Sequence, residues 1–527
     1  MSDRNFSPID LQILNKLLSS IAEEMGIVLQ RSSFSANIKE RRDFSCALFD
    51  GKARLLAQAA HIPVHLGAMP MTVATVLEYM TPCKGDIIWT NDPFSGGTHL
   101  PDITMILPVF FDEICRDDPL FYLVCRAHHA DVGGKEPGSM SLANSIEEEG
   151  ILIRPECICR AGSLDNYRLD RFLSEVRRPD ERMNDIKAQI ACLMRGADRL
   201  YHLVESWSWT KLQGMLEPLL DYGHRVMKKT IASIPSGTYE FCDALDDDGI
   251  HDTPIQIRLR LTVDKESVIL DFSDSDDQAK TGINTVKSVT CSCCYYVFQC
   301  LQGEEYPVNH GAIMPINIIT RRGSIVDAKS PAPVAAGNVE TSQRIVDVIL
   351  GALAQAIPDV IPAASCGSMN NISFGGELEN GKYFSYYETI GGGMGARPYA
   401  DGLSAVQTHM TNTLNTPIEA LEHEYPVLIE RYAIRRGSGG NGQFRGGDGI
   451  IRGFRFLSEA RVSLLTERRR LRPYGINGGE AGKRGRNFLY HKNGISKSLP
   501  GKCSVSLSPG DLLEIHTPGG GGWGMKS

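Results

Sequence analysis

Thr90-Asn91-Asp92-Pro93-Phe94-Ser95-Gly96-Gly97-Thr98-His99-Leu100-Pro101-Asp102 and Arg126-Ala127-His128-His129-Ala130-Asp131-Val132-Gly133-Gly134 are joined by an apolar, β-like run. The two ends supply three imidazoles and several carboxylates, the usual ligands of zinc, manganese or iron(II). Pro101 stands between His99 and Asp102, so this His-x-x-Asp belongs to a loop or strand entry rather than a helix interior. His128 and His129, if on a strand, face opposite ways. One is a ligand candidate and the other a supporting donor or substrate contact.

Five of the 13 histidines fall between His61 and His129, interleaved with Asp92 and Asp102 and flanked by Asp43 and Asp131. A set of two His and two carboxylates is hard, only partly charged, and leaves room for water, as hydrolytic metals require. The expectation is a metal site.

Upstream, Ser7 is a good N-cap, Pro8 suits the first helical position, and Phe6 can staple onto Leu11. Ile9, Ile13, Leu17, Ile21 and Met25 then recur near helical period, giving one expected buried stripe, with Gly26 as one exit and Ile27-Val28-Leu29 as an alternative continuation. Ser33-Phe34-Ser35 and Asp43 to Gly51 read as a strand ending in an Asp-Gly turn, with Leu55 to Ala60 as hairpin partner. His61-Ile62-Pro63-Val64-His65 precedes a helical run through Met80.

Downstream, residues 181–234 are helical in texture. Ile255 to Val263 alternates as a half-buried strand should, with Ser267 to Phe272 across a turn. Ser342 to Ile357 reads as a helix, and Asn338-Val339-Glu340-Thr341 as its cap or a polar pocket wall. Thr408 to Pro417 is rich in short hydrogen-bonding side chains, with Glu419 and Glu422 following at helical spacing, and the last 90 or so residues are glycine-dense strands. The expected fold class is mixed α/β (α+β). It divides into a helix-and-strand metal-binding region over 1–235, a β-rich region over 236–330, an α/β region over 331–430 and a glycine-rich β region over 431–527.

Two tempting motifs fail. Gly437-Ser438-Gly439-Gly440-Asn441-Gly442 fits Gly-x-Gly-x-x-Gly, but the glycine-rich sequence that follows cannot open the helix a dinucleotide site needs. Gly482-Lys483 lacks the earlier P-loop glycine, where Asn477 stands, and Arg484 replaces the hydroxyl that holds magnesium. No ATP site is legible in the chain.

Composition excludes more. At 527 residues with 42% hydrophobic content there is ample core, and a net charge of -8 disfavours nucleic acid as the main partner. No apolar run approaches the roughly 18 to 20 residues a membrane span needs, and no signal-peptide pattern opens the chain. A cytosolic (cytoplasmic) location is expected, with the 14 cysteines as thiols. The cluster Cys291, Cys293, Cys294 and Cys300 reads as buried small side chains, since its spacing is wrong for zinc.

The two histidine motifs, with Asn37-Ile38-Lys39-Glu40-Arg41-Arg42-Asp43-Phe44-Ser45-Cys46, resemble signatures of the hydantoinase B / oxoprolinase family. The likeness continues through His409 to Pro417, Ser438 to Gly447, Ser508 to Asp511 and Thr517 to Gly524. It implies a B-type chain that holds a divalent metal (zinc, manganese or iron) at Asp43, His99, Asp102 and His128. The interval from His99 to His128 is a few residues longer than the family implies, the surplus falling in the turn at 111–118. The resemblance also implies a separate hydantoinase A-type subunit that binds ATP and phosphorylates the substrate, hence a hetero-oligomer, which agrees with the missing P-loop. The implied reaction is hydrolysis of a small cyclic amide, a lactam or hydantoin, with His129 or Asp131 as general base. Carboxylation of a ketone by an acetone carboxylase-type α-subunit and a non-catalytic scaffold are the alternatives.

Overall fold

The computed structural model describes residues 6–59, 61–65, 67–303 and 305–526. Helix α1 (Pro8–Ser32) starts as its cap residues require: the Ser7 hydroxyl accepts from the Asp10 N–H and the Asp10 carboxylate answers on the Ser7 N–H. Its buried face differs from the expected stripe. Leu11, Leu14, Leu18, Ile21, Met25 and Leu29 are buried, whereas Ile9 and Ile13 are 72% and 47% exposed. Gly26 does not end the helix; it lets His61 approach, since a Cβ there would lie 2.5 Å from the His61 ring. Ser33 to Ser35 is not strand; it leads into the short helix α2 (Ala36–Lys39).

The hairpin of β1 (Phe44–Asp50) and β2 (Leu55–Gln58) forms as expected, with Ala47 opposite Gln58. Ala60, the expected end of its second strand, lies outside the described residues. After helix α3 (Ala68–Tyr79) come β3 (Ile87–Thr90), β4 (Asp102–Val109), β5 (Phe121–His128), β6 (Glu156–Arg160) and β7 (Ser163–Leu164). They complete a seven-stranded sheet in the order β2-β1-β5-β4-β3-β6-β7, antiparallel at every pairing.

Every residue of β1, β4 and β5 is buried, because the sheet is covered on both faces. Phe44, Cys46 and Leu48 pack with α1 and helix Pro179–Trp207, while Ala47 and Phe49 pack with Met69, Val73 and Val76 of α3. Alternation along β1 thus sorts the two cores.

The helices Pro179–Trp207 and Trp209–Ala232 occupy the block of helical texture. Strands Gly237–Leu245, Ile255–Asp264, Ser267–Asp271 and Ile316–Ile319 form a second sheet against helix Ser342–Ala356. Cys291, Cys293 and Cys294 are buried on helix Lys287–Gln302, as expected, but Cys300 is exposed.

Two further sheets interleave distant segments: Asn371–Glu377 pairs with Ala460–Leu465, and Val427–Arg435 with Gly449–Phe456. The boundary expected at 430/431 falls inside strand Val427–Arg435, so regions 331–430 and 431–527 share sheets. The glycine runs near 440 and 520 interlock backbone to backbone; a Cβ on Gly439 would sit 1.9 Å from the Gly446 carbonyl oxygen. That packing, not a phosphate, accounts for the Gly-x-Gly-x-x-Gly pattern. No helix among the described residues is long and apolar enough to cross a membrane.

Candidate metal centre

Strand register builds the site. Asp102 of β4 lies directly opposite His128 of β5, and on the other side the His128 N–H donates to the carbonyl of Asp43, at the entry of β1. Directly opposed residues point to one face of a sheet, so this rung presents Asp43, His128 and Asp102 together on the α3 side. His99 joins from the turn before β4, where its carbonyl accepts from the Asp102 N–H.

Three ligand atoms converge: His99 Nε2, His128 Nδ1 and Asp102 Oδ1 lie 3.2 Å from one another, all buried. Asp43 Oδ2 stands 4.0 Å from His128 Nδ1. Ligands about 2.1 Å from one ion are themselves about 3.0 to 3.4 Å apart in octahedral or tetrahedral arrangements. The spacing therefore fits a shared divalent cation. A cavity of about 20 Å³ lies among Asp43, His65, Asp102 and His128, about the room one water needs.

The surrounding groups orient this set. His99 Nδ1 lies 3.3 Å from the Ala335 carbonyl; donating there keeps its Nε2 lone pair on the site. Glu149 fixes that carbonyl by accepting from the Val334 and Ala335 N–H groups. Asp102 divides its oxygens: Oδ1 faces the imidazoles, while Oδ2 accepts from Thr98 Oγ1 and meets His65 Nε2 at 3.3 Å. The His128 ring stacks on Tyr387 at 4.8 Å. The Tyr387 carbonyl in turn accepts from the buried Arg41 guanidinium. Asn338 Nδ2 approaches His99 Nε2 at 3.2 Å, from a π-helical turn (Gly337–Thr341) that makes no side-chain cap for the helix after it.

Burial alone would raise the Asp102 pKa, but the charges of His99 and His65 outweigh it and hold the carboxylate well below its usual range. Burial lowers His128, with the Asp102 bond opposing. For His99 burial also pulls down, yet Asp102 prevails and the pKa rises. An ionised carboxylate beside a neutral imidazole is the state that takes a cation, and loading releases any proton on His99.

His129 and Asp131 stand elsewhere. His129 turns to the opposite face, where Nε2 meets Gln189 Oε1 at 2.9 Å, and burial lowers its pKa to about 4. Asp131 accepts from the Gly133 and Gly138 N–H groups and from Arg177, tying down the following loop. Neither lines the cavity of the triangle. Spacing along the chain marks His65 only as a further imidazole and Asn338 only as a cap or pocket wall. Tyr387 carries no local signal at all, being one aromatic in an ordinary strand.

A larger cavity of about 500 Å³ shares Ile62 and His65 with the small one. Met69, Tyr296 and Val308 line it, with Gln58, Gln299 and Asn412 as its amides.

Sheets covered on both faces, with imidazoles and carboxylates gathered on one rung, define a mixed α/β chain organised around a candidate metal pocket. The hydantoinase B/oxoprolinase family profile matches residues 7–526, and the chain belongs to that family. It is 41% identical to an uncharacterized protein of Methanocaldococcus jannaschii, over 98% of this chain and 90% of that one. It is 39% identical to 5-oxoprolinase 1 of Arabidopsis thaliana, over 98% of this chain but 42% of the plant protein. The chain thus spans less than half the length of the 5-oxoprolinases it matches. The B component of a putative D-/L-hydantoinase from a Pseudomonas species is 29% identical across 90% of its length. Among solved structures, the ATP-dependent caprolactamase of Pseudomonas jessenii superposes with a TM-score of 0.91 at 25% identity, covering 99% of this chain and 92% of that one. A nucleotide-free acetone carboxylase gives 0.90 at 16%, over 99% and 76%, a likeness of fold alone.

Proposed function

We propose that this chain is the metal-holding B-type component of an ATP-dependent cyclic-amide hydrolase, acting on a lactam or hydantoin ring that an A-type partner has activated by phosphorylation. The carrying observation is the triangle of His99, Asp102 and His128 with Asp43 beside it, in a chain matched end to end with oxoprolinases and a hydantoinase component.

Asp43, Asp102, His99 and His128 would hold the ion; two nitrogens and two carboxylate oxygens suit zinc, manganese or iron(II). Such an ion, when bound, supplies an acidified water and polarises the bond to be cleaved. The larger cavity, mostly apolar with three side-chain amides, suits a small ring with polar edges. Ser45 lines it; its Oγ lies 2.9 Å from His65 Nδ1, and His65 Nε2 reaches Asp102. Ser45, His65 and Asp102 form a hydrogen-bonded line along which a proton can pass between ring and triangle. The general-base role expected of His129 or Asp131 is assigned to this line instead, because the partners of those two residues occupy them away from both cavities.

The test is co-purification with the A-type partner, followed by assay of hydantoin, 5-oxoproline and caprolactam with ATP. Ring opening that a chelator abolishes and added metal restores supports the reading. Turnover only with ketone and bicarbonate would replace it with a carboxylase, and full ring opening by His99→Ala would refute the metal assignment.

A further inference from the structure

Far along the chain from the triangle, six cations surround a cavity of about 370 Å³: Arg435, Arg469, Arg472, Lys483, Arg484 and Arg486. Among the described residues, no carboxylate lines it. In a chain of net charge -8 this concentration is not a consequence of composition.

The neighbours of these residues show what the fold ordinarily does with a guanidinium. Arg468 pairs with Asp243 and Asp347, Arg470 with Asp252, and Arg445 with Asp448. Among the described residues, none of the six cations forms an ion pair. Three are nevertheless held in place, by neutral acceptors. Arg435 Nη1 donates to the carbonyls of Arg484 and Thr517, and Arg472 donates to those of Gly482 and Ala481. Arg469 donates to Asn370 Oδ1, the Glu467 carbonyl and Asn487 Oδ1, while its buried Nε finds no partner among the described residues. Carbonyl and amide acceptors fix the forks without cancelling their charge, which leaves a preorganised anion receptor. Burial lowers the Arg469 pKa to about 10, with the carboxylates of Glu340, Asp246 and Glu467 opposing it from beyond ion-pair distance. Gly485 makes the arrangement possible: a Cβ there would stand 2.8 Å from Arg469 Cζ.

We propose that this cavity is a binding site for a phosphate-bearing small molecule, a polyphosphate or nucleotide held through its phosphates. Forked guanidiniums match phosphate oxygens in pairs, and the volume lies in the range of small-ligand sites and far below what a protein segment would fill. The site is independent of the metal triangle and of the hydrolase reading.

Calorimetric titration of the full chain with pyrophosphate, ATP, AMP and citrate, at low and at physiological salt, tests it. Expected is saturable pyrophosphate or ATP binding well above citrate, weakened at least about tenfold in the triple variant Lys483→Gln/Arg484→Gln/Arg486→Gln. These three side chains are exposed, so the fold should tolerate their loss. ATP and pyrophosphate binding alike would identify the phosphates as the recognised group; ATP alone would add its nucleoside. Gly485→Ala, which displaces Arg469, should weaken binding in the same direction while metal content stays unchanged. Equal binding of citrate, no phosphate binding at low salt, or undiminished affinity in the triple variant would each overturn the proposal. So would a triple variant that loses only association with a partner protein.

Discussion

Two buried polar clusters in this chain handle charge in opposite ways. Around Glu467, cations and anions interleave: Arg344 meets both Glu467 and Asp243 at 3.1 Å, Arg468 meets Asp243 and Asp347 at 2.6 Å, and Lys502 pairs with Glu467 and Asp247. Each of these cations has a carboxylate partner within the chain. At the triangle, the ion-pair partners of Asp102 among the described residues are imidazoles, with the Thr98 hydroxyl donating to one of its oxygens, and the Asp43 carboxylate pairs only with His128, at 4.0 Å. The first cluster pairs its cations with carboxylates and reads as structural; the second gathers carboxylates and imidazoles, a donor set that suits a divalent cation.

The largest effect should come from the triangle itself. His99→Ala or Asp102→Ala should drop bound divalent metal from one ion per chain to near none by elemental analysis, with turnover down at least about a thousandfold, or about 4 kcal/mol. Metal retained in both would remove the distinction between the clusters. Arg344→Met should do the reverse, costing about 3–5 kcal/mol in denaturant unfolding because it strands buried carboxylates, while metal content holds. A stable Arg344→Met chain that had lost its metal would show that the two clusters are one system.

Between these lies His65→Leu, which fills similar space but has no nitrogen to meet the Asp102 carboxylate. Metal affinity should weaken about 10- to 100-fold in competition with a chelator, with little change in unfolding. Smaller still, Ser7→Ala should cost about 1 kcal/mol of stability through the lost cap and leave metal affinity alone. Least of all, Ile13→Ser should change stability by less than about 0.5 kcal/mol, because Ile13 is 47% exposed.

That last expectation corrects the stripe inferred from periodicity, and its failure is geometric. Ile9, Ile13, Leu17, Ile21 and Met25 recur every four residues, and each step of four turns about 40° beyond a full helical circuit. Such a row walks around the helix. Leu11, Leu14, Leu18, Ile21, Met25 and Leu29 mix steps of three and four and stay on the buried side. The strands are more legible because their period of two is unambiguous, and the hairpin at Asp50-Gly51 forms as expected. At the site, residue chemistry draws attention to His99, Asp102 and His128 before any register is known, and strand alternation requires one of the paired histidines to leave. Which of them leaves is settled by the rung: Asp102 sits opposite His128, and His129 turns to Gln189.

By itself, the sequence determined the local elements, the clustering of imidazoles and carboxylates, the absence of a nucleotide motif and the family resemblance. The first three follow from spacing along single segments, whereas the resemblance rests on motifs spread from Asn37 to Gly524. Only the tertiary structure decided that Asp43, Asp102 and His128 share a rung and that Asn338 and Tyr387 close over them. It also decided that six cations without ion pairs among the described residues meet around one cavity. Those contacts join residues separated by tens to hundreds of positions. They depend on strand register and on which faces are buried, and neither can be read from local spacing.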